Sequence, residues 1–143
     1  TSLQNRGSYS IHILLEEAHR YVQNDSDTHV IGYNIFDRIT KEGRKYGTIL
    51  GFITQRPNEL SKTALSQCSN FIIFRLFYPE DLEIVKGISS NVTDETIEKI
   101  KTLHPGMGLV FGTAFKVPLL VNLPLPSPLP VSTSLKIDTL WFN

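Results

Sequence analysis

The stretch Ile11-His12-Ile13-Leu14-Leu15-Glu16-Glu17-Ala18-His19-Arg20 constrains this chain more than any other. Apolar residues crowd positions 11–15, the composition of a buried strand, and two carboxylates follow at once. A small residue, Ala18, then lets the chain turn. The layout predicts acids at the carboxyl end of a strand, where open α/β sheets bind ligands. In nucleotide hydrolases the same layout supplies one carboxylate for Mg²⁺ and another to position a water. A plainer reading stays open beside it, in which the two acids begin a helix and are stabilised by its dipole.

A second apolar strand is expected from Ile49 to Thr54, about forty residues on, and it runs into Gln55-Arg56-Pro57. Pro57 disfavours helix in the residue before it and so ends the strand. Between the strands, a helix is expected from about 17, a loop from Asn24 to Thr28, and a second helix over about 31–46. On that second helix Ile31, Ile35 and Ile39 recur at four-residue spacing with Phe36 beside them. Arg38, Lys41, Glu42 and Lys45 occupy the other face. Gly47 follows its end, where a left-handed cap is favoured.

Downstream, Ser61 can cap a short helix reaching about Gln67. Asn70–Leu76 reads as a third strand, apolar enough for a sheet covered on both faces. Pro79 opens a helix whose first turn holds Glu80 and Asp81 against the positive end of the dipole. Another helix spans about Asp94–Leu103, and Pro105-Gly106 turns into a hairpin of strands at 108–112 and 115–123. Pro118, Pro124, Pro126, Pro128 and Pro130 then place five of the eight prolines within thirteen residues, which predicts an extended tail. That tail either lies along its own surface or docks on a neighbouring subunit through Leu140, Trp141 and Phe142. The expected division is 1–122 as an α/β domain and 123–143 as the tail.

Composition is that of a folded chain, with 41% hydrophobic and 20% charged residues. Fourteen basic side chains balance fourteen acidic ones, so net charge gives no footprint for nucleic acid. The single cysteine, Cys68, cannot form an intrachain disulfide and fits a reducing, cytoplasmic setting as a small buried group. No apolar run approaches the ~20 residues a membrane-spanning helix needs, and no signal-peptide core precedes the first strand. Thr1 stands where an initiating Met is expected, as in a processed or excised piece. The four histidines lack metal-site spacing, so no zinc is expected. His19 is read as a packed or hydrogen-bonded histidine.

Several phrases occur here in a recognisable order: Leu-Leu-Glu-Glu-Ala-His at 14–19, Lys-Glu-Gly-Arg-Lys-Tyr-Gly at 41–47, and Thr-Gln-Arg-Pro-Asn-Glu-Leu-Ser at 54–61. Leu65-Ser66-Gln67-Cys68-Ser69-Asn70 and Pro105-Gly106-Met107-Gly108-Leu109-Val110 follow. Together they resemble the HerA branch of the FtsK–HerA motor ATPases over roughly residues 10–122. The resemblance implies an α/β fold: part of a RecA-like P-loop NTPase sheet flanked by helices, with a C-terminal hairpin and the proline-rich tail. The phosphate-cradling motif Gly-x-x-x-x-Gly-Lys-Ser/Thr is absent from the chain. The chain therefore reads as the C-terminal half of an ATPase core.

Within that resemblance Glu16 and Glu17 correspond to the Walker B acids. Glu16 is placed to hold a water of Mg²⁺, reaching one methylene farther than the commoner Asp. Glu17 is the candidate to orient or deprotonate the attacking water. Gln55 takes the sensor position, bridging a water and a γ-phosphate oxygen, or is simply a polar residue at a solvated strand end. Arg56 contacts either phosphate or a neighbouring carboxylate. Lys41, Arg44 and Lys45 either offset the carbonyls at a helix end or include an arginine finger acting on the adjoining subunit. Arg44 is preferred because its planar fork suits phosphate oxygens. The family often has Arg where this chain has Lys41, so the finger's identity stays open.

The implied cofactors are ATP and Mg²⁺ in the intact protein, with none expected on this chain alone. The implied partners are further copies of the subunit in a hexamer, double-stranded DNA through the ring, and a nuclease or defence effector; no membrane is implied. The competing reading is a catalytically inert fragment retained as an oligomerisation or partner-binding module. A nuclease site, with clustered acids and lysines, is not found.

Overall fold

The first expected strand forms as β1 (Ile11–Leu15) and pairs in parallel with β2 (Thr48–Phe52) in this computed structural model, which describes residues 9–23 and 35–129. The register runs from Ile11 opposite Thr48 to Leu15 opposite Phe52. Parallel neighbours require a crossover. Its described part is helix α1 (Ile35–Glu42) and the 3-10 turn Gly43–Tyr46. The expected start of that helix near Ile31, and the loop before it, lie outside the described residues. Gly47 takes the left-handed cap foreseen for it, with φ 73° and ψ 16°, and its N–H reaches the carbonyls of Arg44 and Gly43.

No regular helix starts at Glu17. The chain makes a 3-10 turn at Ala18–Arg20 instead. Hydrogen bonding explains the difference. Ile53 N–H bonds the Leu15 carbonyl at 2.9 Å, and Ala18 N–H bonds the Ile53 carbonyl at 3.0 Å. The chain leaving β1 thus stays clamped to the end of β2 for three residues beyond the ladder.

After β2 come a 3-10 turn at Pro57–Glu59 and helix α2 (Lys62–Gln67). Ser61 caps α2 as expected, its Oγ accepting from Ala64 N–H at 3.3 Å. The Ser61 N–H also reaches the Val22 carbonyl at 2.7 Å, which draws the two post-strand segments together. Ala18, Val22, Leu60 and Ala64 are buried here as one core, with Leu15, Phe36, Phe52 and Leu65 packed on it.

The second half places two helices between its first strand and a closing strand pair: β3 (Asn70–Ile73), α3 (Pro79–Ile88), α4 (Asp94–Lys101), β4 (Met107–Gly112) and β5 (Leu119–Asn122). The three strands form an antiparallel sheet in the order β3-β4-β5. The hairpin is present, although its second strand is shorter than 115–123. β3 likewise ends at Ile73, not Leu76. α3 and α4 pack on one face, burying Leu82, Val85, Val92, Ile97 and Ile100 against Leu109 and Phe111. Phe71 and Ile73 join that core, but Ile72 is 57% exposed. The described residues thus cover one face of β3, where cover on both had been expected. Lys86 Nζ and Asp94 Oδ1 link the two helices at 2.5 Å.

Strand pairing ends at Asn122, and 123–129 carry no regular structure. Pro130 and the apolar cluster Leu140-Trp141-Phe142 lie outside the described residues, as does everything bearing on their docking. Among the described residues no helix is long and apolar enough to cross a membrane.

Candidate active site at the carboxyl edge of the parallel strands

Parallel pairing sends the carboxyl ends of β1 and β2 to the same edge. Glu16-Glu17 and Thr54-Gln55-Arg56 therefore meet there, although 38 residues separate Glu17 from Gln55. Gln55 Nε2 donates to Glu17 Oε1 at 3.4 Å. Such contacts are often long before substrate is bound.

Glu17 is the one non-glycine residue with positive φ among those described, at φ 49° and ψ 44°. A side chain in the left-handed region costs roughly 1–2 kcal/mol. The surrounding bonds hold it there: Ala18 N–H to Ile53 on one side, and Arg20 N–H to the Glu17 carbonyl at 2.9 Å on the other. Strain of this kind collects at functional positions. Its side chain is 46% exposed, open enough to meet a ligand.

The second carboxylate oxygen of Glu17 faces His19 Nδ1 at 3.4 Å, and the same ring nitrogen lies 3.0 Å from Thr54 Oγ1. His19 is thus a hydrogen-bonded, largely buried histidine, as read from the sequence. Thr54 Oγ1 also accepts from Arg56 N–H at 3.0 Å. Sequence reasoning gave Thr54 no role. Its signal was its place as the last residue before Gln55.

Arg56 lies against a neighbouring carboxylate, its Nη1 donating to Glu59 Oε1 at 2.9 Å. That bond raises the guanidinium pKa above its already high ordinary value. The following turn is held from below by helix α3. Asn58 N–H donates to Asp81 Oδ1 and Asn58 Nδ2 donates to Glu80 Oε2, both at 3.0 Å. Asp81 is only 5% exposed, so its acceptor role is structural. Neither Asn58 nor Asp81 was singled out at this edge from sequence, because nothing in a linear reading brings residues 58 and 81 together.

Glu16 is exposed at the end of β1. Among the described residues no group of three His, Cys, Asp or Glu could hold a metal ion. Mg²⁺ is usually bound by one or two carboxylates together with substrate phosphates, and Glu16 and Glu17 are two adjacent carboxylates at this edge.

Lys41 and Arg44 are exposed, but they precede β2 and so lie toward the amino end of the strand that carries Gln55 at its carboxyl end. At about 3.3 Å of rise per residue, the two ends of β2 are farther apart than an arginine side chain extends. The structure brings Glu16, Glu17, Gln55 and Arg56 to one edge and leaves Lys41 and Arg44 near the other.

No family model matches the chain. It is 35% identical over 113 residues to a probable helicase of Methanocaldococcus jannaschii, which covers 79% of this chain and 22% of that protein. It is 34% identical over 116 residues to the DNA double-strand break repair helicase HerA of Pyrococcus furiosus, covering 81% of this chain and 21% of that one. The chain thus spans about a fifth of the length of these relatives. In structure it is similar to the genome packaging NTPase B204 of Sulfolobus turreted icosahedral virus 2, solved with ATP-γS. The TM-score is 0.68 at 20% identity, over 86% of this chain and 57% of that one. The fold is therefore that of the P-loop NTPases. On sequence and fold together, the chain is similar to a segment of the HerA helicases.

Proposed function

We propose that this chain supplies the hydrolytic edge of a ring-forming ATPase that moves along double-stranded DNA. The observation that carries the reading is the meeting of Glu17 and Gln55 at 3.4 Å, on the adjacent carboxyl ends of two parallel strands. Glu17, held in a strained backbone with a half-exposed side chain, is the base that orients and deprotonates the attacking water. Gln55 donates to that carboxylate and can exchange the bond for a phosphate oxygen or the water itself. Glu16 is the carboxylate that would hold Mg²⁺, directly or through a retained water, and the ion would supply neutralising charge to the phosphates.

Arg56 stands at this edge but is paired with Glu59, and Arg44 lies near the other strand end. This favours Arg44, or Lys41, acting on the site of an adjoining copy in a hexamer. The similarity to a repair helicase and the fold shared with a packaging NTPase support the double-stranded DNA substrate. On this reading the protein works in the cytoplasm, beside a nuclease or a defence effector.

The test is ATP hydrolysis by the full-length protein carrying this segment, with and without double-stranded DNA. Hydrolysis stimulated by the duplex is expected. Full-length protein that assembles but neither hydrolyses ATP nor responds to DNA would favour the inert assembly module instead.

A further inference from the structure

Both carboxylate oxygens of Glu17 have a side-chain neighbour, and only one of these is Gln55. Oε1 accepts from Gln55 Nε2, while Oε2 faces His19 Nδ1 at 3.4 Å. That nitrogen also lies 3.0 Å from Thr54 Oγ1. The Thr54 oxygen in turn accepts the Arg56 backbone N–H at 3.0 Å. Five consecutive groups thus close a loop across the two strand ends: Gln55 amide, Glu17 carboxylate, His19 ring, Thr54 hydroxyl and Arg56 backbone.

The chemistry of the acceptors fixes the ring's tautomer. An ionised carboxylate has no hydrogen to give, so a bare Nδ1 lone pair facing Oε2 would be repelled. A proton on Nδ1 donates to Thr54 Oγ1 and turns a positive end, not a lone pair, toward Oε2. Thr54 Oγ1 has two lone pairs, one for Arg56 N–H and one for His19 Nδ1–H. The His19 side chain is 13% exposed, so competition from water is limited. The backbone reinforces the geometry, because Ala18, between Glu17 and His19, is fully buried and bonded to Ile53, directly before Thr54.

We propose that His19 and Thr54 are positioning residues that set the orientation of the Glu17 carboxylate and couple it to the Thr54-Gln55-Arg56 strand end. This rests on the reading of Glu17 as the base. When Gln55 shifts toward a ligand, Oε1 loses its donor, and the His19 N–H facing Oε2 keeps the carboxylate aimed. A displacement of Arg56 moves Thr54 and hence the ring. The pair therefore links what the sensor strand meets to where the base points. A misplaced catalytic group costs up to about 100-fold in rate.

The experiment has two arms. In the full-length protein, Thr54→Val and His19→Ala should lower kcat by about 10- to 100-fold, with KM for ATP little changed. Thr54→Ser restores the hydroxyl, and His19→Asn restores a donor near the position of Nδ1, so both should recover most of the loss. A purely structural role would not give this split between kcat and KM with rescue by the matched donor. If Glu17→Gln is inactive while Thr54→Val and His19→Ala turn over like wild type, the positioning role is wrong and the base assignment stands. If Glu17→Gln remains active, the base assignment itself fails and the positioning role goes with it. In the second arm, ¹⁵N shifts of the histidine rings are read on the 143-residue chain, with His19 assigned by loss of its signal in His19→Asn. His19 should be held with the proton on Nδ1 and should lose that preference in Thr54→Val. A solvent-like tautomer mixture that ignores Thr54→Val would overturn the proposal whatever the activities show.

Discussion

Replacing Glu17 by glycine should make this chain more stable than replacing it by alanine, although alanine is the better residue in most settings. Glu17 sits at φ 49°, ψ 44°. In that region a Cβ crowds the following carbonyl, at a cost of roughly 1–2 kcal/mol, whereas glycine enters it freely. Both variants lose the same side-chain contacts to Gln55 and His19, so those terms cancel in the comparison. Against the relief of strain, glycine gives the unfolded chain more freedom, which offsets roughly 0.5–1 kcal/mol. The difference should be about 0.5–1 kcal/mol in favour of Glu17→Gly. For a domain of this size that is about 2–4 °C in Tm. Urea denaturation of wild type and both variants, with equal slopes, reads it directly. If Glu17→Ala is as stable as Glu17→Gly or more so, Glu17 does not occupy the left-handed region and the strain argument collapses.

Asp81→Ala should destabilise the chain by about 1–3 kcal/mol in urea titrations, because it strands the Asn58 N–H that now donates to a buried carboxylate. Glu80→Ala, which removes an exposed acceptor, should cost less. Gly112→Ala should cost about 3 kcal/mol or more. Gly112 lies at φ 131°, and a Cβ there would collide with the Ser69 carbonyl and approach Asn70 Cα at 2.6 Å. The Glu95 carboxyl is held below its ordinary value by the hydrogen bond from Lys99. A lowered folded pKa means that the pair's contribution is present above the ordinary glutamate value of about 4.3 and is lost as pH falls through the lowered one. A carbon-detected NMR titration should show that lowered midpoint, and Lys99→Met should bring it back up.

Much of this edge was legible in the sequence because it depends on local signals. The apolar runs before Glu16 and Gln55 predicted two strands, and parallel pairing then had to carry both polar ends to one edge. Gly47, Ser61 and Pro79 act where they stand, since a positive φ, an N-terminal cap and a missing N–H are properties of single residues. What escaped depends on distant partners. Ala18 N–H bonds the Ile53 carbonyl, and that contact left a single 3-10 turn where a helix from about 17 is expected from sequence. Thr54, Asn58 and Asp81 form their bonds across gaps of 35 and 23 residues, which no periodicity encodes. The cover on both faces expected of β3 also failed, because apolar composition alone does not say which face a neighbouring element takes.

The central claim is that Glu17 is the base of an ATP-hydrolysing site. It is tested most directly by steady-state ATP turnover of the full-length protein with Glu17→Gln, alongside its nucleotide affinity. The substitution keeps the size and hydrogen-bonding reach of the side chain and removes the charge that accepts the proton. Turnover should fall by about 100-fold or more, while ATP affinity stays within about threefold of wild type. Wild-type turnover in Glu17→Gln would contradict the assignment.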